Sequence, residues 1–206
     1  MKKKLMSQYL FQDIFSRFRT FFKTDKLEES KFLYDVSFGF MPRFFDPRND
    51  FDHMLFIEED DIPEMYFCLE GKIGIGYSFS GRKYTNKQCK IAKYFKRYFL
   101  MCDHYVLNNK RCEFIYQVLE PVKSFALSRK FLHKEIAPKY PEIFSEMKSE
   151  AYIRYKNYLK TPIVEHMHRE IESQNKKSVY RIVKLKDKEE FLKKFNSDDL
   201  DDFRLP

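Results

Sequence analysis

The 206-residue chain has no tryptophan and only five glycines, all of them between Gly39 and Gly81. Backbone freedom is therefore confined to one stretch, where tight turns and close strand approaches are expected. No stretch approaches the ~18 consecutive apolar residues of a membrane span. The opening Met1-Lys2-Lys3-Lys4 is not followed by an uninterrupted apolar segment of the signal-peptide kind. These absences predict a cytoplasmic protein without a transmembrane segment of its own; a ciliary or organellar setting enters by analogy only. Cys68, Cys89, Cys102 and Cys112 form no Cys-x-x-Cys pair and read as reduced thiols. His166 and His168 are two residues apart, which points them to different faces of a helix, so no metal site is expected. A Walker-type phosphate loop and a nucleophile-base motif are both missing, and the chain is not expected to be an enzyme.

What the sequence has in quantity is Phe and Tyr, 23 and 14 of them, enough for a packed core without bridges or metals. Lys and Arg exceed Asp and Glu by 39 to 31, a net +8 spread without any run of five like charges. That pattern reads as a mildly basic, solvated surface, and no nucleic-acid partner is expected. Tyr94-Phe95-Lys96-Arg97-Tyr98-Phe99 interleaves rings and cations as a stacking surface would, and reads as an edge or buried strand.

Periodicity divides the chain. From Ser7 to Lys23, Phe11, Ile14, Phe15, Phe18 and Phe22 recur at three- and four-residue steps and predict an amphipathic helix. Leu10 and Phe21 widen its stripe. The helix packs on its own domain or on a partner, and Phe11, Phe15, Phe18 and Phe22 are the candidate interaction residues. Short apolar runs then predict strands: Phe32-Leu33-Tyr34, Met54 to Ile57, Met65 to Leu69, Ile73 to Tyr77, Phe114 to Tyr116 and Phe125 to Leu127. Glu70-Gly71-Lys72 reads as a hairpin connection, Asn108-Asn109-Lys110 as a turn, and Pro121 as a strand break. After Ser128 the spacing of Phe144, Met147, Ala151, Tyr155 and Tyr158 predicts a helix entered at Pro141, and Pro162 opens another to about Gln174. Val179 to Val183 has strand character, and Asp198 to Asp202 is an acidic close. The expected architecture is α+β: an N-terminal helix (1–30), a jelly-roll-like β-roll (31–128), hinge and lid helices (129–175) and a tail (176–206).

This order of elements, with Phe32-Leu33-Tyr34-Asp35-Val36, Met41-Pro42-Arg43-Phe44-Phe45, Glu70 to Tyr77, Tyr105 to Arg111 and Tyr140-Pro141-Glu142-Ile143-Phe144, resembles the cyclic nucleotide-binding domain family. The wording is nearest to the cytosolic domain of ciliate-type cyclic-nucleotide-gated potassium channels. The resemblance implies a ligand site in which a Gly-Glu pair opens a short helix and an Arg follows about nine residues later. There the helix start and the Arg hold the cyclic phosphate, Gly permits close approach, and Glu takes the ribose hydroxyl. The matching residues here are Cys102, Asp103, Arg111, Cys112 and Glu113. Cys102 adds a side chain where approach is wanted, and Asp103 is one methylene shorter than Glu. Glu113, two residues from Arg111 on an expected strand, would share its face and either repel phosphate or neutralise the guanidinium. In the absence of ligand, Arg111 is expected to pair with Glu113 or Asp103, and Cys102 and Cys112 to fill space.

Two readings follow from the resemblance. The first is a non-catalytic interaction subunit of a larger assembly, partnered by other protein subunits, with a degenerate pocket and no cofactor. The second is a regulatory domain that senses cAMP or cGMP at Asp103 and Arg111 and gates a partner such as a channel.

Overall fold

A computed structural model describes residues 14, 16–18, 21, 27–79, 88–173 and 176. Phe11, Phe15 and Phe22, and the segments Val179 to Val183 and Asp198 to Asp202, lie outside the described residues. The chain divides into two units, Met1–Ile163 and Val164–Pro206. In the second, residues 164–173 are helical. Among the described residues no helix is long and apolar enough to cross a membrane.

The first unit contains a six-stranded antiparallel sheet in the order β1-β6-β3-β4, with β2 also on β6 and β5 also on β3. The strands are β1 (Met41–Phe45), β2 (Met54–Phe56), β3 (Glu64–Phe79), β4 (Gln88–Lys96), β5 (Phe99–Met101) and β6 (Ile115–Ser128). The helices are α1 (Leu27–Ser37), α2 (Asp50–His53), α3 (Asp103–Asn108), α4 (Arg129–Phe131) and α5 (Pro141–Arg154). A π-helical stretch, Leu132–Ile136, extends α4, and another, Tyr155–Lys160, extends α5.

Three expectations about the strands are corrected. Phe32-Leu33-Tyr34 is helical and belongs to α1, so the β-roll starts at Met41 and not at residue 31. Phe32 and Val36, one helical turn apart, are both buried, and Phe32 meets the Tyr140 ring edge-on at 5.4 Å. Three apolar residues in a row fit a strand or one turn of helix equally, and tertiary packing decides here.

Glu70-Gly71-Lys72 is not a hairpin, because Met65 to Tyr77 lies on the single strand β3. Pro121 does not end a strand either, since it sits inside β6. Gly71 (φ 100°) and Pro121 instead mark one corner where neighbouring strands bend together. The register between β3 and β6 shifts on both sides of Glu70, and a Cβ on Gly71 would stand 2.3 Å from the Pro121 carbonyl oxygen. At the same level Arg97 and Tyr98, with φ of 47° and 50°, separate β4 from β5, and Arg97 N–H donates to the Gly71 carbonyl at 3.3 Å. Bulges of this kind bend a strand and raise its twist, which is how a sheet curls into a roll.

Phe67, fully buried on β3, anchors the core. The rings of Phe18, Phe21 and Phe40 meet it edge-on at 5.1, 5.3 and 5.4 Å. Phe18 is therefore packed within its own unit, where the sequence had made it a candidate docking residue. The stripe expected on α5 is present at Phe144, Met147, Ala151 and Tyr155, all buried. Tyr158 departs from it and is 61% exposed, because the wider π turn rotates the following residues off the α-helical stripe.

Gly71→Ala is expected to destabilise the protein by at least about 2 kcal/mol, since left-handed strain and a backbone overlap add there. Gly39→Ala should cost less, because the nearest atoms in its way belong to the Phe131 ring, a side chain that can swing aside. Urea denaturation of the two variants measures the difference.

Candidate functional site

The site implied by the sequence is built around α3. β5 ends at Met101, and Cys102 turns the chain into α3 in the left-handed conformation, with φ 67° and ψ 8°. Cys102 thus holds a backbone geometry that glycine adopts freely, at a strain cost of about 1–2 kcal/mol. Asp103, His104, Tyr105, Val106 and Leu107 are all buried, and Asn109, also left-handed, closes the helix as the expected turn.

Asp103 does not meet Arg111. Its Oδ2 accepts from Arg154 Nε at 3.0 Å, and Arg154 Nη2 lies 3.0 Å from the same oxygen. Arg154 is the last residue of α5, and its Nη1 also reaches Glu150 at 3.4 Å. Burial raises the Asp103 pKa, while the guanidinium and its hydrogen bond pull the other way.

Arg111 and Glu113 do not share a strand face, because residues 110–113 carry no strand and β6 begins only at Ile115. Two backbone bonds tie this segment to the loop before β3: Glu59 N–H to the Cys112 carbonyl at 2.8 Å and Cys112 N–H to the Asp60 carbonyl at 3.0 Å. Arg111 follows that path outward and donates to the Glu59 carbonyl at 3.1 Å. Glu113 pairs with Lys160 at 3.2 Å. The expected Arg111 ion pair with Glu113 or Asp103 is therefore replaced by two pairs that both run to the C-terminal helix.

Cys102 and Cys112 are buried. The Cys112 thiol donates to the Phe114 carbonyl at 2.9 Å, and burial pushes its pKa up to about 12. Neither thiol is placed for nucleophilic chemistry at neutral pH. Among the described residues no three His, Cys, Asp or Glu side chains converge as a metal site.

The space between α3, the start of β6 and the C-terminal helix is filled with rings. Tyr155 stacks on His104 at 4.1 Å and 12°, and meets Tyr105 at 5.8 Å and Phe114 at 6.3 Å. Tyr105 meets Tyr116 edge-on at 6.4 Å. The hydroxyls of Tyr105, Tyr116 and Tyr155 are buried without a well-formed hydrogen bond, and burial raises all three pKa values. His104 Nδ1 lies 3.2 Å from Asn108 Nδ2, which also donates to the His104 carbonyl at 3.2 Å. That carbonyl fixes the amide orientation, so Nδ1 is the acceptor and the ring is neutral. Burial lowers the His104 pKa first of all; Glu113 opposes, and Lys110 and Lys160 reinforce the fall.

The helix also stays closed beyond Tyr155. Residues 161–163 stay helical after the π-helical stretch, so Pro162 does not open a new helix. A proline has no N–H to give the carbonyl four residues earlier, which here belongs to Tyr158. Lys93 Nζ on β4 donates to that carbonyl instead. Sequence reasoning missed Arg154, Lys160, His104 and Lys93. Opposite charges 51 and 47 positions apart leave no local trace, and only the stripe through Tyr155 pointed toward this face.

No family model and no curated protein matches the chain. Solved structures do. The regulatory domain of Toxoplasma gondii PKA with cAMP shares 11% identity at a TM-score of 0.50, covering 73% of this chain and 50% of that one. A protein of Geobacter metallireducens described as cyclic nucleotide-binding shares 14% at 0.49, covering 67% and 92%. The regulatory subunit of a cAMP-independent protein kinase A from Trypanosoma brucei, a triple mutant with cAMP in its A site, shares 16% at 0.49, covering 76% and 53%. The chain spans about half the length of the Toxoplasma and Trypanosoma chains. At such identity the likeness to the Toxoplasma domain is one of fold: antiparallel strands with flanking helices, in the jelly-roll-like arrangement of a cyclic nucleotide-binding domain.

Proposed function

We propose that this chain is a ligand-independent form of the cyclic nucleotide-binding fold, a non-catalytic interaction module whose own C-terminal helix occupies the site. The observation that carries the reading is the buried Arg154 contact on Asp103, with Tyr155 stacked beside it on His104. Asp103 is the residue that would receive the ribose, and its charge is already answered from within the chain. A nucleotide would have to displace Tyr155 and strand one partner of a buried ion pair, at a cost of about 3–5 kcal/mol. That cost alone would turn a micromolar site into a millimolar one or weaker. Arg111 faces the loop before β3, and Glu113 is paired with Lys160 of the C-terminal helix. With the pocket filled, the exposed surfaces of the roll and its helices are what remain for contacts with other protein subunits.

Calorimetric titration with cAMP and with cGMP, each to about millimolar, is expected to show no saturable binding. Micromolar binding that disappears in Arg111→Ala would replace this reading with that of a sensor.

The closed helix also makes stability depend on pH. His104 is held neutral in the folded chain and titrates normally when unfolded, so below about pH 6.5 the unfolded state takes up more protons. Stability is expected to fall as pH drops from about 7.5 toward 5, and His104→Gln should flatten that limb. Asp103, shifted upward, acts in the opposite sense closer to the carboxylate range. Urea midpoints measured across the range, with Asp103→Asn as a second background, separate the two. An unchanged slope in His104→Gln would remove the histidine from the account.

A further inference from the structure

Arg154 meets more than the site. Its guanidinium carbon lies 5.7 Å from the centroid of the Phe21 ring. Phe21 is 4% exposed and rests on Phe67 beside Phe18. A guanidinium carries its donors on its edges and leaves its plane for a ring. Here the edges serve Asp103 and Glu150, and Phe21 lies within cation-π distance. One side chain thus touches the N-terminal segment, the start of α3 and its own helix. Nearby, Arg17 lies 3.9 Å from the centroid of Tyr98, between β4 and β5, which gives the same segment a second hold on the roll.

Resting on the reading that the C-terminal helix occupies the site, we propose that Arg154 couples the N-terminal segment around Phe21 to closure of that helix. If Asp103 is lost, the guanidinium is held by one carboxylate instead of two, and its placement against Phe21 loosens. If Phe21 leaves, water reaches the Arg154–Asp103 pair and weakens it through the higher local dielectric. The coupling is reciprocal, as any linkage of two equilibria must be.

Hydrogen exchange read by mass spectrometry on the full chain tests it with two variants, Asp103→Ala and Phe21→Leu. Neither substitution removes a residue the other one touches. Rates for the peptides spanning residues 11–24, 103–108 and 141–160 are taken relative to residues 115–128 of β6, so that a uniform loss of stability cancels. Asp103→Ala is expected to raise relative exchange at 11–24 by ~5-fold or more, and Phe21→Leu to do the same at 103–108 and 141–160, the size of an ordinary coupling. Faster exchange at 141–160 in Asp103→Ala, with 11–24 unchanged, would overturn the coupling and leave the occupied site standing. No change at 141–160 in Asp103→Ala would remove the latch itself, and the coupling with it.

Discussion

A carboxylate buried at the mouth of a short helix is the constraint from which the rest of the site follows. Asp103 begins α3, whose N-cap residue Cys102 supplies no side-chain hydrogen bond. Left alone, the charge would be intolerable there, and its raised pKa records the strain of burial. Arg154 resolves it by bringing a cation across from α5. Once the two have met, neither can withdraw cheaply, because an uncompensated buried charge is worth more than the pair contributes. The Glu113–Lys160 pair is of another kind. Both side chains are about half exposed, so it orients the helix and adds little energy.

Delivering Arg154 to that position is a problem of helix geometry, and the chain meets it with an apolar stripe followed by a change of pitch. Phe144, Met147 and Ala151 seat α5, and Tyr155 extends the stripe to His104. From Tyr155 the π-helical stretch widens the turn and sends Tyr158 to the surface. Pro162 has no N–H to offer the Tyr158 carbonyl in an α-helical bond, and Lys93 reaches over from β4 to that carbonyl. The defect in the helix thus becomes a tie to the sheet. Burial lowers the Lys93 pKa, the mark of an amine drawn in from water toward that carbonyl.

How much of this could be read in the sequence depended on range. The roll, the Asn109 turn, the α5 stripe and the buried Cys102 and Cys112 all rest on patterns within a few residues. The corner at Gly71 was misjudged for a physical reason: a glycine with positive φ serves a hairpin or a bulge equally, and only Pro121, fifty positions on, decides between them. Phe32 failed in the same way, since its helix is settled by Tyr140. At the site, the residue types at 102, 103, 111, 112 and 113 drew attention to α3 and the segment after it but suggested the wrong partners. Arg111 and Glu113 look like neighbours along the chain. The backbone bonds between Cys112 and residues 59–60 carry Arg111 away, and the helix claims Glu113.

Cys102 combines a left-handed turn with a buried side chain at the start of α3. A glycine would adopt such a turn freely. The turn at φ 67° is held here by a residue for which it is costly, and its thiol is buried. A strained conformation persists only where the surrounding structure over-determines it. What determines this one is therefore the path from β5 into α3, with Tyr66 pairing Met101 just before it and Tyr105 packed on Tyr116 and Tyr155 just after. The turn belongs to the architecture of the roll.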